Sequence, residues 1–261
     1  MKHYTIMIFA SVLVFTVLAR TGCPADSNSR ETLELLCAPS MRTPIEEMRA
    51  IFEKQTGVST QISFEPTNVI LEQLRLHPHG DLFVAADRFY IRAAKFGLVE
   101  ELHICTYLVP VIMIQKGNPH NIYKLSDLTN YKVTVGLVDE RTGAMGDVAA
   151  EVLKKNHISI NKVNVMYRAT TVDELANAIR LNTVDAVIIW KPIAMLYTKY
   201  GDIIDIPNDR NIILTVSAGI ISTSHKRPIA RKFLKFIMSK KGKSIFSKYY
   251  YPTINPKKGT D

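Results

Sequence analysis

The 261-residue chain has three Cys, one Trp and no internal repeat. Three cysteines exclude a small disulfide-framed protein. One long uncharged apolar run, at the N-terminus, excludes a polytopic membrane protein. No Gly-x-Ser-x-Gly elbow, phosphate-cradling Walker loop or His-Glu-x-x-His pair occurs. His77 and His79 flank Pro78 without a third ligand nearby, and His103 with Cys105 lacks one too, so neither pair makes a metal site. Ser40 has no His and Asp beside it in sequence, so an enzyme would have to assemble its nucleophile and base in space. Hydrophobic residues at 47 % and charged ones at 22 % match a globular chain with a sizeable core, not a disordered one.

The N-terminus sets the compartment. Met1-Lys2-His3 is a short basic start, and the run 5–19 (TIMIFASVLVFTVLA) is fifteen residues without a charge. That is short for a membrane span, which needs about 18 or more residues, and right for an export signal. Residues 1–23 are therefore excluded from the fold, and the mature protein is expected outside the cytoplasm, in the periplasm. Cys23 follows Gly22, as a lipid-bearing Cys does in bacterial lipoproteins, but Arg20 stands where that pattern wants an aliphatic residue. Both an anchored and a free form stay open. For Cys37 and Cys105 the alternatives are a disulfide, which an exported protein permits, and two buried thiols.

Acidic residues are scarce at the C-terminus. Residues 225–261 hold eleven Lys and Arg against one acid, Asp261, which accounts for the whole formal net charge of +9. Phe233, Phe236 and Ile237 recur at helical spacing with Arg231, Lys232, Lys235 and Lys240 between them. This predicts an amphipathic helix with a basic wet face. No nucleic-acid partner is expected from this arrangement; a docking face for an anionic membrane or a protein stays open.

The rest alternates between strand and helix patterns. Strands are expected at 32–38, 58–64 and 82–85, with helices at 43–55, 68–76 and 89–96 between and after them. A second series places strands at 108–115, 132–136, 163–167, 186–190 and 203–206, with helices at 144–156 and 172–181. A last strand, 212–222, precedes the basic helix. The pattern reads as an α/β chain of two lobes, each a mostly parallel sheet flanked by helices. The first lobe would comprise 31–106 plus 214–261 and the second 107–213. Two hinge crossovers would leave a cleft between them. Sites in such sheets lie beyond the carboxyl ends of the strands.

Four strand-to-helix turns carry small or hydroxylated residues: Ala38-Pro39-Ser40-Met41, Pro66-Thr67-Asn68, Thr142-Gly143-Ala144-Met145-Gly146 and Ala169-Thr170-Thr171-Val172. Each helix start offers unbonded N–H groups and partial positive charge. Several aimed at one point hold an anion without Lys or Arg. Singly, each turn also reads as an ordinary helix cap. Glu65, beside the second turn, is expected to face solvent. Asp87 and Asp139 read as caps or ion-pair partners, and Arg42 as a helix-surface cation or as a steering cation at the cleft mouth.

These residues carry a resemblance. The run 36–98, with Phe83-Val84-Ala85-Ala86-Asp87 at a strand end, resembles the first lobe of molybdate- and tungstate-binding proteins of bacterial ABC importers. LVPVIMIQKGN (108–118) is similar to that family's crossover strand. Val135-Gly136, Gly143-Ala144-Met145-Gly146, VDAVIIWKP (184–192) and IIDIP (203–207) continue the likeness through the second lobe. The resemblance implies a type II periplasmic binding fold that closes on a tetrahedral oxyanion and delivers it to a membrane ABC permease, as a monomer and without a reaction or cofactor. By that likeness the ligand contacts fall on Ser40, on Thr67 or Asn68, on Ala144 or Met145, on Val172 and on Trp190. No residue would ligate the metal itself. Trp190 stands where many members have Tyr; an indole N–H donates as a phenol does but cannot accept. A different anion or a ferric complex on the same scaffold remains the alternative, with an enzyme or sensor behind it.

Overall fold

Alternation of apolar residues along the strands decides which layer each side chain joins. The computed structural model describes residues 31–257; the apolar run, Cys23 and the expected signal lie outside the described residues. The chain begins with β1 (Thr32–Cys37), a 3-10 turn at Pro39–Met41, α1 (Arg42–Thr56), β2 (Ser59–Phe64), α2 (Thr67–Leu76), β3 (Leu82–Ala86), α3 (Asp87–Lys95) and β4 (Val99–Leu108). It continues with β5 (Pro110–Gln115), β6 (Val135–Val138), α4 (Ala144–Lys155), β7 (Val165–Ala169), α5 (Val172–Arg180), β8 (Ala186–Trp190), α6 (Lys191–Leu196) and β9 (Gly201–Asp205). It ends with β10 (Leu214–Ile221), α7 (Arg227–Met238) and α8 (Lys240–Lys248).

Among the described residues ten strands form two five-stranded sheets. The first has the order β2-β1-β3-β10-β4 and the second β7-β6-β8-β5-β9. In the first, β1 pairs in parallel with β2 and β3, while β10 runs antiparallel to β3 and β4. In the second, β6 pairs in parallel with β7 and β8, while β5 runs antiparallel to β8 and β9. The one reversed strand in each sheet is the one that enters from the other sheet. The chain crosses at Val109, between β4 and β5, and returns between Asp205 and Leu214. This is the expected two-lobed α/β architecture.

On β1, Leu33, Leu35 and Cys37 face one core cluster and Leu36 faces the other; on β3, Leu82, Val84 and Ala86 divide from Phe83 and Ala85 in the same way. The period of two sends successive side chains to opposite layers. One layer is α1, α7 and α8, where Phe52 meets Phe233 edge-on at 4.8 Å between ring centroids. The other is α2 and α3, where Phe83 stacks with Tyr90. The central strands β3 and β8 are buried at every residue, which is why both read as unbroken apolar runs.

Two elements depart from the pattern. β4 (VEELHICTYL) has no clean apolar alternation because it is an edge strand, with register shifts against β10 and a left-handed backbone at Glu101. Its acids are free to pair outward: Arg227 with Glu100, and Arg231 with Glu101. The single basic helix is two, because Ser239 ends α7 and its hydroxyl accepts the Gly242 N–H to cap α8. Cys37 and Cys105 are free and buried, on strands separated by β3 and β10. Burial pushes the Cys105 thiol up to about 12 and raises that of Cys37 as well.

Candidate functional site

Between the two sheets lies a cavity of about 80 Å³. One water needs roughly 10–15 Å³ on the same measure, so the space suits a group of roughly five to eight heavy atoms. Its walls are the segments that follow the carboxyl ends of β1, β2, β6, β7 and β8.

The first wall is the 3-10 turn after β1. Pro39 fixes its first position, and the Met41 N–H is taken by the Ala38 carbonyl. Ser40 lines the cavity, and its hydroxyl and N–H have no protein partner among the described residues. The second wall is the start of α2. Pro66 precedes it and offers no side-chain cap, so the Thr67 and Asn68 N–H groups stay unbonded within the helix. Thr67 is buried and lines the cavity. Asn68 does not line it: its amide donates to the Arg141 carbonyl at 3.2 Å, joining the two lobes beside the cavity.

The third wall is the start of α4, where Gly143, Ala144 and Met145 line the cavity. A Cβ on Gly146 would lie 2.7 Å from the Glu140 backbone. Glycine there lets the first turn of α4 press against the preceding loop. The fourth wall is the start of α5. Thr171 accepts the Glu174 N–H, and the Glu174 carboxylate accepts the Thr170 N–H at 2.8 Å, a reciprocal cap. That leaves the N–H groups of Val172 and Asp173 without a helical acceptor. Trp190, 2 % exposed, closes the floor from the end of β8. Its indole N–H has no protein acceptor among the described residues.

Of the seven residues the sequence points to, the fold brings Ser40, Thr67, Ala144, Met145, Val172 and Trp190 to this one cavity and leaves Asn68 outside its lining. Two groups that matter lie outside the sequence pattern. Tyr251 is buried, and its hydroxyl donates to the Ser40 carbonyl, so the C-terminal segment braces the first wall. Nothing in the sequence around Tyr251 signals that contact. Asp173 is the other, a helix-start acid like many.

Among the described residues no Lys or Arg lines the cavity, and Asp173 is its one ionisable lining residue. Desolvation raises the Asp173 pKa; Arg42 on the opposite lobe pulls it down and Glu174 pushes it up. The Arg42 guanidinium itself sits 4.1 Å from the centre of the Phe64 ring. Glu65 is turned away and accepts from Gln73 at 2.9 Å. Asp139 holds Arg141, which keeps its carboxyl below the usual range. Arg88 on α3 pairs with Glu151 on α4, a second tie between the lobes.

Comparison with known proteins agrees with this geometry. A family model described as bacterial extracellular solute-binding protein matches residues 33–252. YvgL of Bacillus subtilis (strain 168), provisionally described as an ABC transporter substrate-binding lipoprotein, is 23 % identical over 95 % of this chain and 97 % of its own length. The periplasmic molybdate-binding protein of Azotobacter vinelandii superposes with a TM-score of 0.72 at 14 % identity, over 85 % of this chain and all of that one. Iron-bound HitA from Pseudomonas aeruginosa also reaches 0.72, at 15 % identity, over 85 % of this chain and 86 % of its own. Equal likeness to two such different cargoes speaks for the fold alone. Among the described residues no helix is long and apolar enough to cross a membrane.

Proposed function

Because this chain belongs to the bacterial extracellular solute-binding proteins, we propose that its central cavity captures a small tetrahedral oxyanion, molybdate or tungstate, for an ABC importer. One observation carries the reading: the starts of helices from both lobes converge on one small cavity that no cation lines. Such a cradle offers only neutral donors. A fully deprotonated dianion asks for nothing else, since it has acceptors on every side.

The donors divide into side chains and backbone. Ser40 and Thr67 present hydroxyls; Ala144, Met145 and Val172 present N–H groups with the field of their helices behind them; Trp190 presents its indole N–H. Burial between two lobes strengthens each of these bonds by excluding water. Selection against sulfate would come from cavity size, because charge and shape are alike. Binding is the whole chemistry: the lobes close on the anion about the crossovers at Val109 and at residues 206–213, and the Asn68–Arg141 and Arg88–Glu151 contacts lie on the closing face. The run 5–19 would export the chain, and Cys23 would anchor it where a lipid is attached.

One observation favours a second reading. Asp173 is an acceptor on the lining, and an acceptor suits an anion that still carries a proton, such as hydrogen phosphate. Isothermal calorimetry of the protein with molybdate, tungstate, sulfate and phosphate separates the two. Tight, matched binding of molybdate and tungstate with weak phosphate supports the first; tight phosphate with silent molybdate replaces it with the second.

A further inference from the structure

Five lysines on the C-terminal helices have no neutralising partner. Lys232 and Lys235 on α7, and Lys240, Lys241 and Lys243 on α8, are all exposed. None of them is in an ion pair among the described residues. Other cations of the same stretch are engaged: Arg227 by Glu100, Arg231 by Glu101 and Lys248 by Glu47. Lys241 is near Glu47, but that carboxylate already accepts from Lys248 and Tyr249. No acid occurs from His225 to Lys257. Both helices pack in the layer that contains α1, with Phe233, Leu234, Ile237, Ile245 and Phe246 buried beneath them. The layer therefore turns ammonium groups outward and its rings inward.

We propose that this layer is a docking face for an anionic phospholipid surface. Three observations choose lipid over other polyanions. All five uncompensated cations are lysines, flexible hydrated point charges suited to a mobile array of phosphates. Stable protein interfaces are depleted in Lys and enriched in Arg and aromatics, the reverse of what is free here. Single-stranded nucleic acid is held by runs of exposed rings on which successive bases stack; here Phe233 and Phe246 are fully buried, and the exposed ring beside the lysines is Tyr250, just past α8. A solute carrier that serves an ABC importer, as proposed above, would work beside such a surface. Basic side chains near such a surface each add attraction that fades within a Debye length, so the contact is close-range and salt-sensitive. It depends in no way on which solute the cleft takes.

The test is sedimentation of the full chain with vesicles. Vesicles one-third phosphatidylglycerol are compared with pure phosphatidylcholine, so that any insertion of the apolar N-terminal run counts equally in both. The expected result is about tenfold or greater preference for the anionic vesicles at low salt, lost at high salt. Replacing Lys232, Lys235, Lys240, Lys241 and Lys243 by Gln removes the preference. A control replacing the exposed Lys95, Lys132, Lys154, Lys162 and Lys199 by Gln, with the same net charge, keeps it. Circular dichroism confirms that both variants fold. Equal loss in the two variants reduces the effect to net charge and overturns the proposal. So does an absence of preference for anionic lipid, or tighter binding to duplex DNA or heparin than to the vesicles.

Discussion

The two lobes share one topology but build their halves of the cavity differently. In each sheet three strands pair in parallel and the strand that crosses from the other lobe is inserted reversed beside the third. In the first lobe a 3-10 turn intervenes between β1 and α1, so a side chain, Ser40, stands where a helix start would be. Thr67 adds a second hydroxyl. In the second lobe α4 and α5 begin directly at the cavity, where Gly143, Ala144, Met145 and Val172 offer only backbone N–H groups; the hydroxyls of Thr142 and Thr171 on the same lining are engaged by the Asp139 carbonyl and the Glu174 carboxylate, and Thr170 and Trp190 line it too. One half of the cradle thus rests mainly on removable hydroxyls, and the other mainly on N–H groups that move only when a helix moves. Single substitutions should test the two halves unequally.

The largest effect is expected where the second lobe can be broken as a unit. Gly146→Ala places a Cβ against the Glu140 backbone at 2.7 Å, and backbone cannot swing away as a side-chain end would. The start of α4 shifts, and the Ala144 and Met145 N–H groups shift together. Two donors to a charged ligand at about 1.5–3 kcal/mol each make a loss of about 3 kcal/mol or more. Calorimetry with molybdate reads it directly; unchanged affinity would mean that the loop at Glu140 yields and the helix start stays.

The first lobe should break in smaller steps. Ser40→Ala and Thr67→Val each remove one hydroxyl, at about 1–3 kcal/mol apiece in anion affinity and with little change in melting temperature. Trp190→Phe belongs with them, because it removes a side-chain donor from the second lobe. If titration leaves all three at wild-type affinity, these residues only cap and fill. Tyr251→Phe acts one step removed. It leaves the Ser40 carbonyl without its donor, at about 1 kcal/mol of stability, and weakens anion binding by less than Ser40→Ala does. A melting scan beside the titration distinguishes this bracing role from a direct one: an affinity loss equal to that of Ser40→Ala would place the phenol in the cavity.

The same contrast governs what could be read without a structure. The central strands and the four turns are legible because buried parallel strands are continuous apolar runs and helix starts favour Ser, Thr, Pro and Gly. β4 is not, because an edge strand carries Glu100, Glu101 and His103 without penalty when one side is open to water and to Arg227 and Arg231. Tyr251 is not, because its partner Ser40 is 211 residues away and no local pattern announces such a contact. Nor is the difference between Thr67 and Asn68. Both suit a helix start, and only the approach of Arg141 from the other lobe decides that Asn68 bridges while Thr67 lines.

The smallest expected effect has the opposite sign and rests on the one charge among the lining residues. Asp173 belongs to the second lobe, and its carboxylate opposes the helix field that its own N–H group helps to make. Desolvation raises its pKa, so the folded cleft favours the protonated form more than water does. As pH falls toward that raised value the carboxylate is neutralised and its repulsion of an anion disappears. Anion affinity should therefore rise on acidification from neutral pH, and binding should draw a proton from solution, because a bound anion raises the pKa further. Asp173→Asn holds the neutral state throughout. It should strengthen molybdate binding at neutral pH by less than about tenfold, since an exposed carboxylate is screened by solvent and salt, and it should flatten the pH profile. Calorimetry in buffers of different ionisation enthalpy counts the proton. A weaker Asn variant would instead mean that the carboxylate accepts a hydrogen bond from the ligand, which moves the cargo from a bare dianion to a protonated one.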